Sequence, residues 1–134
     1  MHACRAVSIL LSLAVTGCAT SGQEAQRTPA ESRLRVAQVA EASGQTDVAL
    51  SMYAAAVEQD PRDPVARARY AGVLARTGQM RQAEQVLNTG LASGTDSRLL
   101  VELGRLRLRS GQPDEARALF ARVLERDSRN AGAL

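Results

Sequence analysis

The sequence predicts an all-α fold, an antiparallel helix-hairpin solenoid of three units and the start of a fourth, behind a signal peptide and a flexible tether. Two observations predict the solenoid. One pattern, Ala37, Gly44, Ala49, Tyr53, Ala56 and Pro61, returns as Ala71, Gly78, Ala83, Leu87, Gly90 and Thr95. It returns again as Gly104, Gly111, Ala116, Phe120, Val123 and Ser128, the first step being 34 residues throughout and the second 33. A period of this length marks stacked helical hairpins, none of which buries its apolar face without a neighbour. The second observation is composition. Ala, Leu, Arg, Glu and Gln abound, while the aromatics are only Tyr53, Tyr70 and Phe120. That is a helix-former's alphabet, with small side chains suited to close helix approach. The 134 residues allow one compact domain at most.

Residues 1–17 carry Arg5 early, then an apolar stretch from Ala6 to Val15, then Thr16 and Gly17 before Cys18. A basic start, a short apolar core and a small-residue exit describe a secretory signal rather than a membrane span, which needs about 20 residues. The run Val15-Thr16-Gly17-Cys18 resembles a bacterial lipobox. That resemblance implies cleavage before Cys18 and acylation of its thiol and new amine. Acyl chains contribute about 0.8 kcal/mol per buried methylene, and two or more make a stable anchor. Residue 19 is Ala rather than Asp, which in the lipoprotein pattern implies an outer-membrane lipid anchor facing the periplasm of a Gram-negative bacterium. An ordinary cleaved signal that contains a Cys is the alternative. Residues 18–29 read as the lipidated N-terminus and a polar tether, able to span roughly 40 Å fully stretched.

The first unit spans 30–63. Leu34, Val36, Ala37, Val39 and Ala40 line a helix expected to stop at Gly44, the residue best able to take a left-handed cap. Its partner runs from Thr46 to Gln59, with Ala49, Leu50, Tyr53, Ala56 and Val57 at helical spacing. The second unit, 64–96, opens on Asp63-Pro64, a side-chain cap followed by a proline where its missing N–H costs nothing. Tyr70, Ala71 and Leu74 share a face, Gly78 stops the helix, and Ala83, Val86, Leu87 and Leu91 form the return. The third unit, 97–130, repeats this with Leu100, Leu103, Gly104 and Leu106, then Gly111. Pro113, Asp114 and Glu115 make an acidic first turn, and Ala116, Leu119, Phe120, Val123 and Leu124 complete the unit.

Ala37, Ala71 and Gly104 are expected to face Ala49, Ala83 and Ala116 where paired helices cross. The missing residue of the second step falls between Thr95 and Gly104, in the turn joining units two and three. Residues 131–134 read as the start of a further repeat or a truncated end, leaving Leu119, Val123 and Leu124 without a covering helix. Residues 30–130 resemble the tetratricopeptide repeat in their small residue, glycine seven later, alanine and bulky residue. The aromatic common near the start of that repeat is absent, its places held by Arg33, Arg67 and Leu100.

Catalysis finds no support. The only histidine is His2, no cysteine follows Cys18, there is no Lys, and no glycine-rich phosphate loop occurs. The carboxylate pairs Asp60 with Asp63 and Asp114 with Glu115 read as helix caps, so no metal, cofactor or small-molecule substrate is expected. A formal charge of +3, evenly scattered, does not argue for nucleic acid. What remains is protein recognition, a non-enzymatic scaffold. The first helices of stacked hairpins form a concave wall. By the repeat's geometry that wall should show Leu34, Gln38, Glu41, Ala68, Gly72, Arg76, Arg98, Val101, Arg105 and Arg109. Arg98, Arg105 and Arg109 share one helix face, a basic stripe fit to grip a carboxylate of a partner's C-terminus or acidic segment. The same arginines would equally form the solvated side of a helix.

Some tetratricopeptide-repeat proteins clamp acidic chaperone tails with Lys and Asn. The corresponding places here are Leu34, Gln38, Arg69, Arg98 and Glu102, and only Arg98 matches. The lipobox, the tether and the runs from Leu34 to Leu50 and from Leu99 to Ala116 are similar to the TadD lipoproteins of the tight-adherence (Flp) pilus system. That resemblance implies a protein partner, a secretin or another pilus or envelope assembly component, met at the outer membrane. Other envelope-assembly repeat lipoproteins (pilotin-like, or cell-wall-synthase activators) and a soluble periplasmic adaptor are the alternatives.

Overall fold

The computed structural model describes residues 28–134, so the expected signal segment, Cys18 and the tether up to Arg27 lie outside the described residues. Six α-helices follow in order: α1 Pro29–Ala42, α2 Thr46–Gln59, α3 Pro64–Arg76, α4 Met80–Ser93, α5 Ser97–Arg109 and α6 Pro113–Arg126. Each packs on the next, and α3 also touches α5, the arrangement of hairpins stacked in series.

The turns follow the repeat. Gly44, Gly78 and Gly111 are the described residues in the left-handed region, with φ at 72°, 83° and 72°. Each closes a hairpin by the same pair of bonds. The amide after the glycine reaches back to close the helix, Gln45 N to Ala40 O and Gln79 N to Leu74 O at 2.8 Å, and Gln112 N to Arg107 O at 2.9 Å. The glycine amide itself donates to Glu41, Ala75 and Leu108 carbonyls. Only a left-handed residue allows both bonds, and glycine takes that conformation without a Cβ penalty.

Turns between units use side chains instead. Asp63 Oδ1 accepts from Val65 N at 2.8 Å, and Asp96 Oδ1 accepts from Arg98 N at 2.8 Å. Thr28 and Glu31 form a reciprocal capping box at the start of α1. The link from α2 to α3 has residues 60–63 and that from α4 to α5 only 94–96, which is the missing residue of the second step.

Ala37, Ala49, Ala71, Ala83 and Ala116 are wholly buried at the helix crossings. At Gly104 a Cβ would stand 2.5 Å from Phe120 Cε1, so the absent side chain is the room the ring occupies. Tyr53 and Leu87, at the bulky position of their units, are fully buried.

Two expectations need correction. Val36 and Val39, assigned to the apolar lining of the first helix, are exposed. Their counterparts in later units pack on the preceding hairpin, and among the described residues no helix precedes α1. Val123 is not left open. It is fully buried in a cluster with Leu100, Val101 and Ala133, while Leu119 and Leu124 are half-buried at its edge. The chain after α6 turns back over it. Asn130 Oδ1 accepts from Gly132 N at 3.1 Å, the bond that Asp63 and Asp96 make, and that turn brings Ala133 inward.

In the sequence Arg67 reads only as a departure from an aromatic. It is 7% exposed and satisfied by backbone. Nε and Nη2 donate to Pro61 O at 3.1 and 2.7 Å, and Nη1 donates to Val86 O at 3.2 Å. Its stem lies across Gly90, where a Cβ would meet Arg67 Cδ at 2.5 Å. A cation thus fills an aromatic's place by tying the turn before α3 to α4.

Candidate functional site

A pocket of about 550 Å³ opens on the inner side of the stack. Glu41 reaches it from the end of α1. Val65, Ala68, Arg69, Gly72 and Arg76 line it from α3, and Arg98, Val101, Glu102, Arg105 and Arg109 from α5. Asn130 and Gly132 close one end. The spacings of three and four along α3 and α5 put each set on one helix face. Ala68 and Gly72, small and buried, set the depth of the floor between the two helices.

Eight of the ten residues expected on the concave wall line this pocket, and Leu34 and Gln38 do not. Leu34 packs instead against the buried cluster of Ala37, Ala40, Ala49, Tyr53 and Val73. Its counterparts Ala68 and Val101 also belong to buried clusters, yet both line the pocket. Gln38 is half-buried on the same helix, away from the lining. Val65, Arg69, Glu102, Asn130 and Gly132 were not anticipated there. Arg69 and Glu102 were legible from spacing alone, since 65, 69, 72, 76 and 98, 102, 105, 109 run at helical intervals. Nothing in the repeat pattern pointed to Asn130 and Gly132, because the turn after α6 folds back on Val101. A Cβ at Gly132 would lie 3.0 Å from Val101 Cγ1.

Five arginines and two glutamates therefore share the wall. Arg76 pairs with Glu41 Oε1, whose other oxygen accepts from the Tyr53 hydroxyl at 2.6 Å. Burial, then the hydrogen bond to Glu41, raises the Tyr53 phenol well above its ordinary value. Arg105 Nη1 donates to Glu102 Oε1 at 2.6 Å, and Arg98 meets Asp96 at 3.3 Å. Arg69 and Arg109 form no ion pair among the described residues. The basic stripe expected from Arg98, Arg105 and Arg109 is thus partly answered from within, by Asp96 and Glu102. On the other side of α5, Arg107 bridges Glu84 of α4 at 2.5 Å and Glu115 of α6 at 2.9 Å, locking units two and three together.

Among the described residues no group of His, Cys, Asp and Glu is placed to hold a metal ion, and no helix is long and apolar enough to cross a membrane. The arrangement offers a row of guanidinium donors along a concave wall.

Two family models, both of the tetratricopeptide repeat, match the chain over residues 40–100 and 101–134. Solved structures agree in fold. The first tetratricopeptide-repeat domain of human RPAP3, an NMR structure, is similar with a TM-score of 0.71 at 24% identity, over 78% of this chain and 83% of that one. The first such domain of Spaghetti (RPAP3), bound to the HSP90 peptide SRMEEVD, is similar with a TM-score of 0.69 at 24% identity and the same coverage. The Arabidopsis OM64 domain is similar with a TM-score of 0.68 at 19% identity, over 78% of this chain and 87% of that one. No curated protein sequence matches.

Proposed function

Since the chain belongs to the tetratricopeptide-repeat family, we propose that it is a non-enzymatic scaffold whose concave groove captures an acidic segment of a partner protein. One observation carries the reading: five arginines against two glutamates on a single wall, with Arg69 and Arg109 unpaired among the described residues. Arginine presents a planar fork of donors that matches a carboxylate, and a row of them recognises an acidic segment better than any one member. The similar Spaghetti domain holds a peptide carrying two glutamates and an aspartate, which supports a groove of this shape as a place for an acidic segment.

The leader adds location to the reading. Val15-Thr16-Gly17-Cys18 supports acylation of Cys18 and an anchor in the outer membrane, the groove facing the periplasm. There the scaffold would help a secretin or pilus apparatus of the tight-adherence type assemble or settle in place. The test is copurification of the full-length tagged protein from detergent-solubilised membranes after growth with a palmitate analogue. The wild type should carry the label on Cys18 and bring down a secretin-class component, and Arg69→Glu with Arg109→Glu should lose that component while staying helical. A wild type without label ends the anchor. A secretin recovered equally by wild type and variant ends the groove's role.

A further inference from the structure

Not every acidic segment fits this wall, because the wall keeps a carboxylate of its own at the centre. Glu102 is 21% exposed at its side chain, and Arg105 occupies Oε1. Oε2 lies over the bare α-carbon of Gly72, where it stands 3.4 Å from the place a Cβ would fill. Among the described residues nothing donates to it. It is an acceptor on a half-buried side chain that lines the groove. Glu41, the other acid of the wall, differs, since Tyr53 and Arg76 take both of its oxygens. The two arginines without an ion pair stand to either side of Glu102. Arg69 is about one turn before Gly72 on α3, and Arg109 about two turns beyond Glu102 on α5.

We infer that Glu102 is a specificity-determining residue, selecting partner segments that place a hydrogen-bond donor between two acidic stretches and rejecting an unbroken acidic run. The inference rests on the groove reading above. A donor at the centre makes a charge-assisted bond to Oε2, while flanking carboxylates reach Arg69 and Arg109. A carboxylate at the centre meets a like charge on a half-buried side chain, and like charges set face to face are how interfaces exclude wrong partners. Gly72 contributes by leaving a side chain's place open to the incoming group, between Glu102 Oε2 and Arg76 Nη1.

The test compares two labelled octapeptides by fluorescence anisotropy on the full-length protein: octaglutamate, and the same peptide with glutamine at its two middle places. Net charge alone favours octaglutamate on a basic wall. The wild type should instead prefer the glutamine-centred peptide by about threefold, and Glu102→Gln should tighten octaglutamate by about tenfold while weakening the other. Glu41→Gln should leave the order of preference as it is. If Glu102→Gln moves both peptides by the same factor, or neither, the selectivity proposal is overturned and the groove reading stands. Failure of the wild type to bind either peptide overturns both. Glu102→Ala, which should also relax the preference, serves if Glu102→Gln is not helical by circular dichroism.

Discussion

Val39, Val73 and Leu106 hold the same place in three successive hairpins, yet Val39 is 67% exposed and the other two are 2% exposed. The residues are alike and so are their helices. The difference is the neighbour. Val73 packs into the cluster of Ala49 and Tyr53 from the hairpin before it, and Leu106 into the cluster of Ala83 and Leu87. Among the described residues α1 has no hairpin on that side. Burial in a stack of repeats is therefore a property of the pair of units rather than of the sequence at one position.

The largest effect that sharpens this comparison is truncation along the series. Leu106→Ala should cost about 2–5 kcal/mol, the range for emptying a filled core position. Val73→Ala should cost less, because fewer buried atoms are removed. Val39→Ala should stay within about 0.5 kcal/mol, as a surface substitution does. Urea denaturation of the three variants against wild type measures the series. Equal losses at Val39 and Leu106 would mean that α1 is covered in solution, and the contrast between the units would vanish.

Arg33 and Arg67 extend the comparison to a polar position, with Leu100 completing the row. Arg67→Ala leaves the carbonyls of Pro61 and Val86 without their side-chain donor and opens space over Gly90. Its expected cost is about 1–3 kcal/mol. Arg67→Leu, borrowing the residue of unit three, should recover part of that through packing while the two carbonyls remain unanswered. Full recovery in thermal melts would show that the slot needs only volume and that the three hydrogen bonds count for nothing.

Legibility in the sequence divides along the same line between local and non-local causes. Gly44, Gly78 and Gly111 were readable because a glycine at a helix end has one conformational reason to be there. Asp63 was readable because its cap acts two residues along the chain. The wall of α3 and α5 was readable because helical spacing fixes a face. Arg67 was not, since its acceptors lie in a turn and in another helix, and an arginine carries no sign of being buried. Leu34 falls outside the pocket lining although its repeat counterparts Ala68 and Val101 belong to it, and nothing in the repeat pattern marks that difference. The burial of Val123 is not legible, because nothing in the pattern says that the turn after α6 brings Ala133 over it. Glu102 reads in the sequence as a mismatch to a lysine-and-asparagine clamp, and in the structure it lines the wall between Arg98 and Arg105.

The smallest expected effect separates the first unit from the others by a hydroxyl. Tyr53, Leu87 and Phe120 share one repeat position, and only Tyr53 can donate a hydrogen bond. Its donation to Glu41 holds that carboxylate where Arg76 of the next unit meets it, so a polar link joins α1, α2 and α3 at the edge of the groove. Tyr53→Phe should cost about 0.5–1.5 kcal/mol near neutral pH. The cost should also depend on pH in one direction. Burial, then the Glu41 bond, raises the folded phenol above the value of about 10 that it has when unfolded. Below about pH 10 both states keep the proton, and the hydroxyl's contribution is fully present. Above it the unfolded chain ionises first, so wild-type stability falls as pH rises towards the folded value. Tyr53→Phe lacks that term, and the gap between the two proteins should begin to close above about pH 10 and go on closing as the pH rises towards the folded value. A gap that stays constant over this range in urea titrations would mean that the Tyr53 hydroxyl is not held by Glu41, and the first unit would then be joined to the second by packing alone.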